Sequence, residues 1–289
     1  MMKSNEINIR DPFVVYEDGT YYLYGTRAKN FGFHVGGVDV YVSTDLENWS
    51  DPIECFNSVK CGLDRGVNWA PEVHKYKGKY YMFISLTREN GLRGTFSLVS
   101  ESLLGPFLPH SADALTPEEW ECIDGTLYVS QNGEPYLVFC HEHTQIADGT
   151  ICYVPLTYDL KSASGEAVTI FKASDFCPSY GLDWTDSGKQ TKHYVTDGPY
   201  MYRSKTGELF MLWSTFIDGK YAECLVKFNG GELGLSFKHK APIIADDTGH
   251  GMIFSDEDQL YLTYHAPNTS GYEHPVFRKL NNCGDTFNL

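Results

Sequence analysis

One pattern recurs five times along the chain and restricts its folding more than any other feature: an apolar run, a polar turn, then an aromatic-rich run. The copies are DPFVVYEDGTYYLYGT from Asp11, APEVHKYKGKYYMFIS from Ala70, DGTLYVSQNGEPYLVF from Asp124, DGPYMYRSKTGELFMLWS from Asp197 and GHGMIFSDEDQLYLTYH from Gly249. Val, Ile, Tyr, Phe and Trp fill the runs, as the pleated, half-buried surface of a strand prefers. Four turns hold Asp-Gly, Lys-Gly, Asn-Gly or Thr-Gly, and the fifth holds Asp256-Glu257-Asp258, so each copy predicts a β-hairpin.

Measured between the turn residues Gly19, Gly78, Gly133, Gly207 and Asp258, the copies stand 59, 55, 74 and 51 residues apart. That spacing is too long for a hairpin alone, and the remainder carries further strand-like stretches at residues 38–44, 94–100, 150–156 and 222–228. Four strands per repeat follow. Antiparallel four-stranded units repeated radially predict an all-β fold, a five-bladed β-propeller, as a single domain over residues 1–289. No window keeps an apolar stripe at helical spacing for three turns, so at most a single helical turn is expected, near residues 116–120 or 161–165. The polar stretch 173–193 supplies the extra length of the 74-residue step and predicts a loop over a binding face.

With 42% apolar and 21% charged residues the chain can build a packed core. Its 23 basic and 38 acidic side chains leave a net charge of −15, which repels a phosphate backbone and anionic lipid alike. Nucleic acid and membrane surfaces are therefore not expected partners. No apolar run approaches the length of a membrane span, and the first ten residues lack the apolar segment of a secretory signal, so a cytosolic protein is expected. A secreted chain trimmed of its signal would read the same. The cysteines (Cys55, Cys61, Cys122, Cys140, Cys152, Cys177, Cys224, Cys283) form no C-x-x-C pair and are expected to be reduced and mostly buried, with a Cys55–Cys61 disulfide as the alternative.

Three acids carry the chemistry. Asp11, Asp124 and Asp197 each head the first strand of a repeat, with Gly or Pro directly following. In a propeller that strand lies nearest the axis, so the three carboxylates are expected to face one end of the channel. A single Asp before a strand is often a turn cap bonded to its own backbone. Three at one phase are costly through repulsion and desolvation, which points to function. A carboxylic acid on one side of a bond and a carboxylate on the other is the apparatus of glycosidic hydrolysis.

The segments Arg10-Asp11-Pro12-Phe13, Trp69-Ala70-Pro71-Glu72-Val73, Ile123-Asp124-Gly125-Thr126, Asp197-Gly198-Pro199 and Gly249-His250-Gly251 resemble, in order and spacing, glycoside hydrolase family 43 over nearly the whole chain. The resemblance implies a five-bladed propeller and a single-displacement, inverting glycosidase acting mostly on α-L-arabinofuranosides and β-D-xylosides. It implies that Asp11 is the general base and that Asp124 raises the pKa of the acid and orients it. Asp197 stands where the family carries its general acid, a glutamate, and is shorter by about 1.5 Å of reach. Either the backbone approaches the substrate so that Asp197 works as the acid, or another group supplies the proton, or the site binds sugar without cleaving it. The first is favoured, because VTDGPYMYR is otherwise intact and burial beside Asp124 can lift an aspartic acid.

His250 heads the fifth repeat, where it is expected to contact substrate and where the resemblance implies a channel calcium ion held directly or through water. Imidazole is not a favoured ligand for a hard cation, so a plain channel histidine is the other reading, and no cofactor is otherwise required. Trp69 is expected either to stack on a sugar ring or to pack in the core, and Glu72 to accept from sugar hydroxyls. Strand alternation turns His141 and His143 to one face and Glu142 to the other, which predicts a surface or cavity-lining role rather than a metal site. Trp49 is expected between blades.

The expected activity is exo-attack on α-L-arabinofuranosyl or β-D-xylosyl termini of an oligosaccharide, with the Asp11 and acid carboxyls about 6.5 to 9.5 Å apart. The alternatives are a sugar-binding propeller impaired at Asp197, or action on another furanoside such as galactofuranose. Nothing in the sequence signals an oligomeric state.

Overall fold

Each repeat forms the expected hairpin, and the residues between repeats extend it into an antiparallel sheet. The structure, a computed structural model, describes residues 1–176, 181–186, 188–257 and 259–289; Cys177 and Asp258 lie outside the described residues. Blade 1 runs outward from Ile9–Glu17 through Thr20–Arg27 and Gly37–Ser43 to Ile53–Asn57 and Asn48–Trp49. Blade 2 is Asn68–Tyr76, Lys79–Thr87, Arg93–Ser100 and Leu108–Pro109. Blade 3 is Cys122–Val129, Pro135–His141, Thr150–Pro155 and Val168–Lys172, and blade 4 is Asp197–Arg203, Leu209–Ile217, Lys220–Phe228 and Phe237–His239. Blade 5 has three strands among the described residues rather than the expected four: Gly249–Ser255, Leu260–Ala266 and His274–Lys279. The five-bladed β-propeller expected from the repeats is the fold.

The turns follow their glycines. Asp18-Gly19 and Lys77-Gly78 have positive φ at both residues, the conformation whose twist matches a two-residue hairpin. Apolar side chains from adjacent sheets meet between the blades, as in the cluster of Val138, Ile151, Met211, Trp213 and Val226 between blades 3 and 4. Among the described residues no strand is exchanged between blade 1 and blade 5 where the ring closes. Met2–Lys3 pairs within blade 1, against Asn48–Trp49, and side chains join blade 1 to blade 5. Asn8 Nδ2 donates to the carbonyls of Gly271 and Glu273, Arg10 Nη1 donates to Glu273 Oε1 at 3.0 Å, and the fully buried Trp49 stacks on Phe277 as an inter-blade residue.

Among the described residues the α-helical turns lie at His143–Ile146 and Ala173–Phe176 and 3-10 turns at Ser4–Glu6, Lys29–Gly32 and Asn229–Gly231, with none at 116–120 or 161–165. Part of the stretch expected as a loop forms a further hairpin, Leu182–Asp186 with Lys189–His193. The seven described cysteines are all free, five of them buried, so Cys55 and Cys61 are not bonded. Among the described residues no helix is long and apolar enough to cross a membrane.

Candidate active site

All five innermost strands begin at the same end of the channel, and each breaks register near its start. The shifts fall between Arg10 and Phe13, Trp69 and Glu72, Ile123 and Thr126, Asp197 and Tyr200, and Gly249 and Met252. Within each bulge one residue is left-handed: Asp11, Ala70, Asp124, Gly198 and His250, with φ between 45° and 56°. Four of these are not glycine, a strain of about 1–3 kcal/mol each that is common where backbone aims a side chain at a site. This corrects the expectation that the three acids share one phase. Asp11 and Asp124 occupy the left-handed position, while Asp197 lies one residue earlier, level with Arg10 and Trp69, because Gly198 takes the left-handed place in blade 4.

The bulges open onto a cleft of about 820 Å³ whose lining includes Asp11, Asp124, Asp197 and His250. Thr26 donates its hydroxyl to Asp11 Oδ2 at 2.7 Å, while Asp11 Oδ1 is buried 3.2 Å from His250 Nδ1 and accepts no hydrogen bond among the described residues. Burial, the largest influence, would raise this carboxyl, but His250, Arg10, His265 and Thr26 outweigh it and hold it at about 2. His265 is fully buried and neutral, pushed down to about 3 by burial and then by Arg10. Its Nδ1 accepts from the Asp11 amide at 3.3 Å while Nε2 faces Asn268 Oδ1 at 3.2 Å, which sets the tautomer.

Asp124 Oδ2 accepts from the Gly198 amide at 3.0 Å, which ties blade 3 to the residue after Asp197. Burial, and after it the charge of Asp11, pushes Asp124 well above the usual carboxylate range. Asp197 is less buried than either partner, and its Oδ2 accepts from the Tyr221 hydroxyl at 2.9 Å. Burial, then Asp124 and Glu142, pushes it up to about 7. Two carboxylates in one buried space cannot both ionise cheaply, so the pair keeps a proton toward neutral pH.

The other expected residues divide. Trp69 lines the cleft as a wall: Phe33 meets its edge at 5.0 Å, and the Arg93 guanidinium lies 5.1 Å from its ring. Glu72, expected to bind sugar hydroxyls, does not line the cleft but borders a small cavity beneath Asp11 and His250, with Oε2 at 2.9 Å from His74 Nε2. The alternation predicted for His141-Glu142-His143 fails because the strand stops at His141 and a helical turn starts at His143. His141 stacks on Trp120, whereas Glu142 and His143 both line the cleft, Glu142 accepting from Arg93 at 2.8 Å.

Among the described residues no group of three or more His, Cys, Asp or Glu side chains is arranged to hold a metal ion. His250 offers a single imidazole whose Nδ1 is turned to Asp11, whereas calcium takes about six to eight oxygen ligands. Among the described residues these donors do not make up a shell that would hold calcium directly beside His250.

Several site residues carried no motif of their own: Thr26, Tyr221 and His265 around the acids, and Trp184 on the inserted hairpin, where it stacks on His193 and faces the cleft. Aligning the ends of the second strands would have found Thr26 and His265, since the first and fifth repeats end on them. The assembled groups place an ionised carboxylate and a carboxyl protonated near neutrality on one cleft, which is the requirement of paired acid and base catalysis.

Comparison with known proteins gives a consistent picture. A family model described as Glycosyl hydrolases family 43 matches residues 6–281. The solved structure of an endo-arabinase from Bacteroides thetaiotaomicron VPI-5482 is similar over 98% of both chains, with a TM-score of 0.87 and 36% identity. Two curated relatives match 47% of this chain: an extracellular exo-α-(1→5)-L-arabinofuranosidase from Cellvibrio japonicus at 20% identity and an extracellular endo-α-(1→5)-L-arabinanase from Bacillus subtilis at 24%. The matched stretches make up 41% and 44% of those relatives, so the chain spans less than half the length of the curated relatives it matches.

Proposed function

The chain belongs to glycosyl hydrolases family 43 and is a glycosidase, and from that premise we propose that it cleaves α-1,5-linked L-arabinofuranosyl chains by single displacement, with Asp11 as general base and Asp197 as general acid. The observation that carries this reading is the opposite protonation of the two groups: Asp11 is held at about 2 and Asp197 at about 7 in the same cleft. In the proposed reaction Asp11, held ionised in the cleft, takes a proton from the attacking water. Asp197 delivers its proton to the departing glycosidic oxygen while Tyr221 holds its other oxygen. Asp124, fixed to the Gly198 amide, shares one buried space with the acid, and because the two carboxyls cannot both ionise cheaply the pair holds its proton toward neutral pH.

The arabinan assignment is supported by likeness to the Bacteroides endo-arabinase and by the names of both curated relatives. A cleft of about 820 Å³, whose lining includes Phe31, Phe33, Trp69, Trp184 and Phe216, has room for several sugar units. That favours internal attack over the terminal attack expected from the sequence. Terminal attack is the second reading, favoured by the relative named as an exo-enzyme. Linear α-1,5-arabinan is expected to yield a ladder of oligosaccharides early in the reaction. Arabinose as the sole early product would establish terminal attack instead, and turnover of β-xylosides alone would overturn the arabinan assignment. Both curated relatives are named extracellular, which supports an exported enzyme over the cytosolic one.

Trp184 is 38% exposed and outside the core clusters, so its ring is available to stack on a sugar. Trp184→Ala is expected to raise KM for arabino-oligosaccharides roughly five- to tenfold, the loss of about 1 kcal/mol of ring contact, with kcat little changed. Unchanged KM would remove Trp184 from the binding surface.

A further inference from the structure

The five left-handed amides at the cleft end form a ring of contacts between blades. Their acceptors come from one equivalent position, the second-strand residue paired with the residue just before each bulge. These pairs are Arg10 with Thr26, Trp69 with Ser85, Ile123 with Cys140, Asp197 with Ser214 and Gly249 with His265. Thr26 Oγ1 accepts from the Ala70 amide at 2.7 Å, Ser85 Oγ from Asp124 at 2.8 Å, Ser214 Oγ from His250 at 2.7 Å, and His265 Nδ1 from Asp11 at 3.3 Å. Every blade thus caps the bulge of the next, with one exception.

The exception is Cys140, fully buried between blades 3 and 4. Its thiol is a weak acceptor, and the Gly198 amide bonds Asp124 Oδ2 instead. Blade 1 shows what a hydroxyl does there. Thr26 Oγ1 stands between the Ala70 amide and Asp11 Oδ2, at 2.7 Å from each, and keeps that carboxylate off the neighbouring backbone.

We propose that Cys140 is a positioning residue: by withholding a hydroxyl from the ring it lets Asp124 bond the Gly198 amide directly, and so anchors that carboxylate beside Asp197. The consequence for catalysis rests on the reading of Asp197 as the acid. Asp197 faces Asp124, Glu142, His250, Tyr221 and Arg10, and of these Asp124 is the one that the broken ring places. Serine at position 140 recreates the blade 1 arrangement, with its hydroxyl accepting from Gly198 and donating to Asp124, and draws the carboxylate back from Asp197. The two carboxyls then couple less strongly, and the proton that the pair shares leaves at lower pH.

The test compares kcat/KM against pH for wild type, Cys140→Ser and Cys140→Ala on linear α-1,5-arabinan, with melting curves to confirm folding and a crystal structure of the serine variant. Cys140→Ser is expected to move the alkaline limb down by about half a pH unit or more. Cys140→Ala, which also lacks an acceptor, is expected to leave it in place. An unmoved limb in the serine variant, an equal shift in both variants, or a crystal structure with Gly198 still bonded to Asp124 overturns the proposal. Should the serine variant not fold, Thr26→Cys carries the test in blade 1: the Ala70 amide is expected to pass to Asp11 in its crystal structure, and an Asp11 that stays off that amide overturns the proposal. Failure of the acid assignment shows separately, as an alkaline limb that survives Asp197→Asn.

Discussion

Asp11→Asn is expected to lower kcat about 10²- to 10⁴-fold while the propeller stays folded. Asparagine fills the same space on the same bulge, but its amide cannot accept the proton that the attacking water must lose. Thr26, His250 and His265 surround the carboxylate, so the change removes its charge and basicity with little change of shape. The measurement is turnover of an aryl α-L-arabinofuranoside beside a melting curve. Azide, which attacks without giving up a proton, is expected to restore turnover and to form the glycosyl azide of inverted configuration. A folded variant within tenfold of wild type would remove Asp11 from the role of base, as would retained configuration in the first product of the wild-type enzyme.

For Asp197→Asn the expected effect depends on the leaving group. Natural arabinan departs as an alkoxide unless protonated, so its kcat/KM is expected to fall about 10²- to 10⁴-fold, whereas an activated aryl glycoside falls much less. The pH profile gives an independent sign. Asp197 acts in its protonated form and is pushed up to about 7, so wild-type activity is expected to decline about tenfold per unit as pH rises beyond about 7. Asp11 acts ionised and is held at about 2, so the acid limb lies far below. Asp197→Asn is expected to abolish the alkaline limb on aryl substrates. Equal losses on both substrates with that limb intact would show that another group supplies the proton.

Much of this site was legible in the chain because the repeat unit is short and self-contained. Apolar alternation and turn glycines act over about ten residues, so they located the five hairpins and the number of blades. The head of each repeat therefore pointed to Asp11, Asp124, Asp197, Trp69 and His250, all of which line the cleft. What failed was finer than a strand. The left-handed residue falls on Asp124 in blade 3 but on Gly198, one residue past the acid, in blade 4. A one-residue difference in a bulge turns a side chain elsewhere and leaves no trace in apolar spacing. Glu142 was misassigned for a related reason, since alternation holds only while a strand continues and this one ends at His141.

The sequence by itself determined the five-bladed architecture and which acids stand at the blade heads, because these depend on short-range patterning of apolar residues and turns. The tertiary structure alone decided what each acid touches. His265 lies 254 residues from the Asp11 amide that it receives, and Gly198 lies 74 residues from the Asp124 carboxylate that it fixes. Such contacts arise only when the ring closes and brings neighbouring blades together. Burial and charge then separate three chemically identical side chains into an ionised one and two that are reluctant to ionise, a difference no local pattern encodes.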